Sequence, residues 1–573
     1  MNLDEKVIFI DASSTVDSCI RTMSSLSKKV LYPGLCVVID GQKKFKGLIT
    51  DGDIRRAYSA NIDFSSSVSL IMTTKPVFLH ENEISNNPVR LLDTRLREAK
   101  HLTKPVKLIP LINDENLLID VIDYDSLKNI QNSLYNNVTV FGLGYVGITL
   151  AASLANIGHQ VTGVDTNKKL IKILREGETH VHEPGLEEMI KHNLSAENIY
   201  FETSVKNNNS NIYIIAVGTP LDNNLKPGLE ALNQVLLSIS KVLKNGDHVM
   251  LRSTVPVGVT RDIVIPFLEK ESNLLAGKDF FISFAPERTI EGDAMKELKT
   301  LPQIVGGYSN RCAELGIKFW STLASSVVKV SSLEAAELIK LANNTFRDIS
   351  FAFANELALL ASKHNVDAFD LVHQANEGYP RNKIPLPSPG VGGYCLTKDP
   401  ILFSCNSKGF RDDAVLGVSS RKINQKASEY PIEVLEEFCK KTNKNMANLN
   451  ILIIGIAFKG NPETNDYRGS VSLDVMSMLK KKVSRIFGWD AVITKQNINN
   501  LGFDDYDDLD DVINKSDAIL ILNNHPDNII SNLYENHNED RIRLIFDGWH
   551  QLDRIDIERN PNLKYATMGY LTS

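Results

Sequence analysis

One stretch of this chain brings a thiol, several glycines and a carboxylate close together: Pro389-Gly390-Val391-Gly392-Gly393-Tyr394-Cys395-Leu396-Thr397-Lys398-Asp399-Pro400. Glycine lets backbone amides come near a ligand and permits positive φ. A cysteine in that setting can be an exposed nucleophile rather than core filling. If Cys395 opens a helical turn, Asp399 at i+4 lies on the same face and can handle protons beside it. The same residues also spell a glycine loop ending in a buried, inert thiol. What accompanies them decides between the two.

Other residues suited to chemistry stand at the ends of apolar runs. Asn137-Val138-Thr139-Val140-Phe141 reads as a strand, Gly142-Leu143-Gly144-Tyr145-Val146-Gly147 as a turn, and the residues through Leu150, Leu154 and Ile157 as a helix. A second strand over 160–164 ends at Asp165. Strand, glycine turn, helix and acid form the dinucleotide-binding pattern. The helix N-terminus offers partial positive charge to a pyrophosphate. Asp165 accepts the adenosine ribose hydroxyls and repels a 2′-phosphate, so NAD is expected over NADP. Further strands end in Gly218-Thr219-Pro220 and in Ser253-Thr254-Val255-Pro256. Small hydroxyl residues there are ligand contacts of a parallel sheet or ordinary turn residues. Pro286-Glu287-Arg288 puts a carboxylate just after another strand. Helical periodicity over 334–346 places Lys340 and Asn344 on one face; such a pair is ordinarily solvated surface, and the surrounding apolar Leu338, Ile339, Leu341 and Phe346 make a buried role more plausible here.

These residues need a large scaffold. At 573 residues the chain exceeds a single core, and three or four domains are expected. Hydrophobic content of 43%, charged content of 23% and a net charge of -7 describe a globular chain and argue against a generic nucleic-acid binder. The six cysteines are scattered without a CxxC pair, as in a reducing compartment without structural zinc. No metal site is read from His180 and His182. Neither an apolar leader nor a membrane-length apolar run is present, so the expected location is cytoplasmic.

Ahead of the dinucleotide pattern, Gly47-Leu48-Ile49-Thr50-Asp51-Gly52-Asp53-Ile54-Arg55-Arg56 is a strand turning into a helix. It resembles the signature of a CBS domain, in which a Thr or Ser and an Asp beside the helix can hold the ribose of an adenine nucleotide. Met72-Thr73-Thr74-Lys75-Pro76-Val77 begins a second copy, with strands over 109–112 and 118–123, and this copy lacks the Thr-Asp-Gly-Asp corner. Residues 128–137 read as the linker.

Six blocks in order resemble the UDP-glucose and UDP-N-acetylmannosamine 6-dehydrogenase family: the glycine turn, Val217-Gly218-Thr219-Pro220, Ser253-Thr254-Val255-Pro256, Pro286-Glu287-Arg288, Lys340 with Asn344, and Gly392-Gly393-Tyr394-Cys395 with Lys398-Asp399. The resemblance implies oxidation of a sugar C6 alcohol to a carboxylate with two NAD. Asp399, Thr219 and Lys340 would hold a water or the developing alkoxide. Cys395 would form a thiohemiacetal and then a thioester, with Lys340 and Asn344 on its oxyanion and Glu287 aiding hydrolysis. Gly142, Gly144, Tyr145, Val146, Gly147, Asp165, Thr219, Ser253, Thr254, Lys398 and Arg468 would contact the cofactor. Glu287, Arg288, Lys340, Asn344, Arg381, Gly392 and Lys459 would contact substrate, Arg381 from a neighbouring subunit. A homodimer or larger homo-oligomer follows, with 334–364 as its interface helix.

Three features depart from the family: Leu170 in place of an Arg, Tyr394 in place of Ser or His, and Lys226-Pro227-Gly228-Leu229-Glu230. The segments 285–292, 301–307 and 351–357 look like the N-acetylhexosamine branch, implying UDP-ManNAc or UDP-GlcNAc. A UDP-glucose 6-dehydrogenase is the alternative enzyme. A nucleotide-sensing regulatory protein on a dead dehydrogenase scaffold is the alternative of another class, and it would be marked by loss of Cys395, Lys340 or Asp399.

The expected fold is α/β, with two Rossmann-like doubly wound domains joined by a long central helix and preceded by a small α+β CBS-pair-like domain. The expected boundaries are 1–130 for the CBS-pair-like module and 137–330 for the NAD-binding domain, then 331–440 for the central helical dimerisation and catalytic region and 447–573 for the UDP-binding domain. An adenine nucleotide at the CBS-like module is a further expected ligand.

Overall fold

The computed structural model describes residues 3–27, 29–83, 91–92, 95–96, 107–124, 137–205, 210–222, 224–410, 414–530, 533 and 541–572. They form two units, Met1–Asn136 and Asn137–Ser573. The linker expected over 128–137 lies outside the described residues except for Asn137.

The first unit is built twice from one plan. Strand β1 (Ile8–Asp11) pairs in parallel with β2 (Leu35–Ile39), which pairs antiparallel with β3 (Phe45–Thr50). Strand β4 (Leu79–His80) pairs in parallel with β5 (Leu108–Ile112), which pairs antiparallel with β6 (Leu118–Asp123). Register shifts fall at Val38/Ile39 in one copy and at Leu111/Ile112 in the other. Both hairpins turn on the same side-chain device. Asp40 Oδ1 accepts the Gln42 and Lys44 N–H groups, and Asn113 Oδ1 accepts those of Glu115 and Leu117. An Asx side chain that mimics backbone in this way fixes the turn. The helix Asp51–Ser59 opens on a capping box in which Thr50 Oγ1 and Asp53 bond each other. Arg56 also binds Asp53, at 2.5 Å.

The second unit begins with an eight-stranded sheet in the order β14-β13-β12-β11-β10-β7-β8-β9. Its strands are β7 (Asn137–Phe141), β8 (Gln160–Val164), β9 (Ile199–Glu202), β10 (Ile212–Ile215), β11 (His248–Leu251), β12 (Phe281–Phe284), β13 (Gln303–Gly307) and β14 (Val327–Lys329). All neighbours are parallel except β12 and β13. Strands β10, β11 and β12 are buried throughout because helices cover both faces, and their apolar sequences reflect that. The strand order reverses between β7 and β10, which opens a crevice at their carboxyl ends.

A 30-residue helix, Leu333–Ser362, leaves this sheet, capped by the Ser332 hydroxyl on the Ala335 N–H. Its buried side mixes alanines and leucines with Glu337, Lys340, Thr345, Asp348 and Asn355. Asp348 accepts from Arg421, Ser420 and Asn424, and Asn355 bonds Asn424 and the Ser388 N–H. The helical stretch expected over 412–441 is two helices, Val415–Ala427 and Tyr430–Thr442, and Pro431 stands in the first turn of the second. A ribbon of β15 (Cys405–Asn406) and β16 (Gly409–Phe410) precedes them.

A six-stranded sheet completes the unit, ordered β18-β17-β19-β20-β21-β22. It contains β17 (Asn450–Ile454), β18 (Arg485–Trp489), β19 (Ala518–Ile521), β20 (Arg543–Asp547), β21 (Leu563–Thr567) and β22 (Tyr570–Leu571). The two sheets share one corner construction. Gly142 donates to Val164 O and Gly455 to Trp489 O, each at 2.8 Å. Asp165 then accepts the Leu143 N–H, and Asp490 accepts those of Ile456 and Ala457.

Candidate active site

Cys395 sits in a turn leading into the short helix Asp399–Phe403, and the Asp399 N–H donates to Cys395 O at 2.9 Å. This is the i+4 contact the spacing implied. Cys395 is the exposed cysteine; the other five are buried. Gly393 has φ +91, and a Cβ there would lie 2.7 Å from the Phe458 ring. Its N–H donates to Gly469 O. The glycine run thus lets the cysteine turn lie against the second sheet's loops as well as opening it to a ligand.

Around the thiol are two lysines and a carboxylate. Asp399 is fully buried and accepts from Asn344 Nδ2 at 2.6 Å and from Lys398 Nζ at 2.7 Å. Lys340 is 7% exposed and makes no hydrogen bond or ion pair among the described residues. The Cys395 thiol opens to solvent, yet dense protein lies behind it. That burial pushes its pKa up, helped by Asp399 and Glu291 and opposed by Lys340 and Lys398. Burial favours neutral Lys398, but Asp399 and Cys395 outweigh it and raise its pKa, keeping the ammonium charged.

Glu287 is held on both oxygens. Arg252 binds Oε2 through Nε at 3.0 Å, while the Arg288 and Thr289 N–H groups bind Oε1 at 2.7 and 2.8 Å. Burial alone would raise its pKa, but Arg252, the Thr289 N–H and Lys340 together hold it below the usual range. Arg252 is itself buried, over the Trp320 ring. A buried arginine ending the apolar strand β11 was a signal in the sequence that the motif reading passed over. Thr219 is buried and donates to Thr254 O; Ser253 donates to Val217 O at 2.7 Å. These hydroxyls first fasten the ends of β10 and β11 together.

The nucleotide crevice fits a dinucleotide. Gly142, at φ +85, lies so close to Val217 that a Cβ would meet its backbone at 2.9 Å. A Cβ on Gly147 would lie 1.7 Å from Gly142 O, whereas one on Gly144 would meet nothing within 4 Å. The helix Tyr145–Asn156 therefore starts without a side-chain cap, its first N–H groups open beside free space. Val146 is half-buried in that helix's first turn, and the Tyr145 hydroxyl binds Glu183. Asp165 ends β8 and also accepts the Asn167 N–H at 2.9 Å.

A cavity of about 490 Å³ joins Gly144 and Tyr145 to His180, Glu291 and Arg468. Burial and Asp466 push Glu291 up to about 7 against Arg468, Lys459 and Thr464. Glu291 was not singled out for a role from sequence, because it stands at no strand end, and His180 was weighed only as half of a histidine pair from which no metal site was read. Lys459 Nζ donates to Glu291 O at 2.5 Å. Arg288 bonds Pro302 O, and a Cβ on Gly392 would meet Gly469 O at 2.5 Å. Arg381 is not brought to this cluster; it is exposed and lies over the Tyr379 ring. Among the described residues no group of three or more His, Cys, Asp or Glu could hold a metal ion. No helix there is long and apolar enough to cross a membrane.

Three family models follow one another along the second unit. They are the NAD binding domain of the UDP-glucose/GDP-mannose dehydrogenase family over residues 136–324, its central domain over 334–426 and its UDP binding domain over 452–554. The chain belongs to the UDP-glucose/GDP-mannose dehydrogenase family. A CBS domain model matches residues 3–60.

Among its relatives is the UDP-N-acetyl-D-mannosamine dehydrogenase of Pyrococcus horikoshii, 32% identical over 412 residues, 72% of this chain and 94% of that protein. The enzyme of the same name from Campylobacter jejuni is 32% identical over 64% of this chain and 88% of its own. The Pyrococcus horikoshii UDP-D-ManNAc dehydrogenase structure superposes with a TM-score of 0.67 at 30% identity, covering 76% of this chain and 99% of that one. A UDP-glucose dehydrogenase from Pyrobaculum islandicum gives 0.65 at 25% identity, covering 77% and 99%. The protein is thus an NAD-dependent dehydrogenase of the UDP-sugar family with an N-terminal CBS domain. The reading as a nucleotide sensor on a dead scaffold finds no support, since Cys395, Lys340 and Asp399 are all present.

Proposed function

We propose that this dehydrogenase oxidises the C6 alcohol of a UDP-N-acetylhexosamine, UDP-ManNAc or UDP-GlcNAc, to the carboxylate through a covalent adduct on Cys395. The observation that carries this reading is an accessible thiol one helical turn from a buried Asp399 that Asn344 and Lys398 hold, with Lys340 among the charges acting on it. A simple alcohol dehydrogenation needs no thiol. An oxidation that continues to the acid can use one to hold the aldehyde covalently and pass through a thioester. NAD, when bound, takes up the hydride in each of the two oxidations.

In the first step the C6 hydroxyl proton passes to a water held by Asp399, Thr219 and Lys340 as the aldehyde forms. The Cys395 thiol then gives up its proton and its sulfur bonds the aldehyde carbon. The carbonyl oxygen becomes an alkoxide facing the Lys340 ammonium and the remaining Asn344 N–H. Lys340 suits this role because it makes no hydrogen bond or ion pair among the described residues. The raised thiol pKa means that sulfur rests protonated and ionises beside the two lysines as it adds.

Loss of the second hydride leaves a thioester. A water then adds, the C–S bond breaks, and carboxylate and free thiol are regenerated. Glu287, kept ionised by Arg252, is an acceptor that orients this water more than a strong base. Lys459 and Arg468 supply cations for phosphate oxygens. Arg381, exposed on its own chain, is free to reach the substrate of a neighbouring copy.

The N-acetylhexosamine preference is supported by the branch-like segments around Glu287, Pro302 and Phe351 and by the names of the relatives above. NADH release with UDP-ManNAc, UDP-GlcNAc and UDP-glucose tests it. Turnover with an N-acetylated sugar well above that with UDP-glucose is expected, and the reverse order would favour the UDP-glucose reading.

A further inference from the structure

The residue before the cysteine is unaccounted for by this chemistry. Tyr394 is half-buried, and two cations lie over its ring, with Lys398 Nζ 5.4 Å and the Arg468 guanidinium 4.8 Å from its centroid. Cations over a ring face hold it in place. Arg468 is fixed in turn by Asp466 at 2.6 Å. The tyrosine hydroxyl is therefore aimed rather than free to swing.

It is aimed at the coenzyme crevice. A Cβ built on Gly218 would lie 2.9 Å from the Tyr394 hydroxyl oxygen, which places that oxygen against the chain just beyond β10. The hydroxyl makes no hydrogen bond to the described residues. A phenol that is partly buried normally finds a partner for its O–H. Burial pushes its pKa up, against Lys398 and Arg468, so it stays a neutral O–H donor.

Topology says what that donor faces. The crevice lies between β7 and β10, the glycine turn follows β7, and Asp165 ends β8 on the far side. With the adenosine at Asp165 and the pyrophosphate on the helix N-terminus after Gly144, the second nucleoside must extend over the ends of β10 and β11. Gly218 and the Tyr394 hydroxyl are there.

We infer that Tyr394 is a coenzyme-binding residue whose hydroxyl donates a hydrogen bond to the ribose of the nicotinamide half, so that the turn carrying Cys395 is docked to the coenzyme through the preceding residue. This rests on the NAD reading of the crevice. In this chain a single turn would thereby carry both the nucleophile and a grip on the group that takes its hydride.

Equilibrium binding to the full chain tests this without turnover. NADH affinity is measured by its fluorescence, and ADP-ribose and AMP are then used to displace it, in the wild type and in Tyr394→Phe. Phenylalanine keeps a ring for both cations and removes only the hydroxyl. The expected result is an about fivefold weaker constant for NADH and for ADP-ribose, the worth of one hydrogen bond, with AMP unchanged. An unchanged ADP-ribose constant overturns the inference, and so does equal weakening of all three, which would mark a structural role. A wild-type chain that failed to bind NADH would instead contradict the NAD reading itself.

Discussion

Glu291 shows how one side chain sets the charge of the cavity beside the glycine turn. Its carboxyl, pushed up to about 7 chiefly by burial and Asp466, faces Arg468, Lys459 and His180. Burial also lowers His180, so the imidazole is neutral over the same range. Below pH 7 Glu291 is neutral and the cavity is cationic; above it a negative charge appears beside the place of a pyrophosphate. Dinucleotide binding is therefore expected to weaken as pH rises from 6 to 8, by about threefold. Linkage has the same sign for folding. A carboxyl raised in the folded state contributes stability present at low pH and lost as pH rises through about 7. Fluorescence titration of NADH at the two pH values, with Glu291→Gln as the comparison, checks this. The glutamine variant should lose the slope, and an equal slope in both would assign it to another group. The contrast with Asp399 is instructive. Its i+4 relation to Cys395 was readable because a helical hydrogen bond enforces it, whereas Glu291 reaches the cavity through a loop whose path no local pattern encodes.

The central helix carries a similar lesson at the scale of an element. Periodicity over 334–346 marked a helix and the family resemblance carried it to 364; in the structure it runs over Leu333–Ser362. The apolar neighbours that made Lys340 look buried are in part the exposed ones: Leu338 is 42% and Phe346 72% exposed, while Lys340 is 7% exposed. The helix has two working faces. One packs against the catalytic turn and Val415–Ala427, where small alanines alternate with the polar Asp348 and Asn355 networks. The other carries Phe346, Phe353 and Leu360, spaced seven apart. A sequence pattern shows that a face is apolar but not what covers it. A second copy of this chain is the occupant proposed here, consistent with an exposed Arg381 serving a neighbour's site. Replacing Phe346 and Phe353 together with Glu should halve the mass measured by light scattering while leaving the helical signal in circular dichroism intact. An unchanged mass would move the interface elsewhere.

Across the whole molecule, the parts most legible in the sequence were those that repeat a physical device. The glycine turn and terminal acid announced the first nucleotide-type sheet, and the Gly455 and Asp490 corner rebuilt it in the second. The doubled hairpin of the N-terminal unit was readable from its strands, although the Thr50-Asp51-Gly52-Asp53 corner occurs once. In the structure Thr50 and Asp53 spend their side chains on each other and on Arg56, a commitment that sequence could not display because it depends on rotamers. Buried ion pairs such as Arg252 with Glu287 were equally hidden. Each residue looks ordinary alone, yet breaking such a pair costs about 3–5 kcal/mol.

What unites these parts in the proposed function is a thiol that would retain the half-oxidised sugar. The most direct measurement is the number of NADH formed per molecule of UDP-sugar acid released, in the wild type and in Cys395→Ser. Covalent two-step oxidation predicts two NADH per acid in the wild type, and loss of acid formation in the serine variant with NADH binding retained. One NADH per product with free aldehyde in solution, or undiminished acid formation by Cys395→Ser, would contradict it.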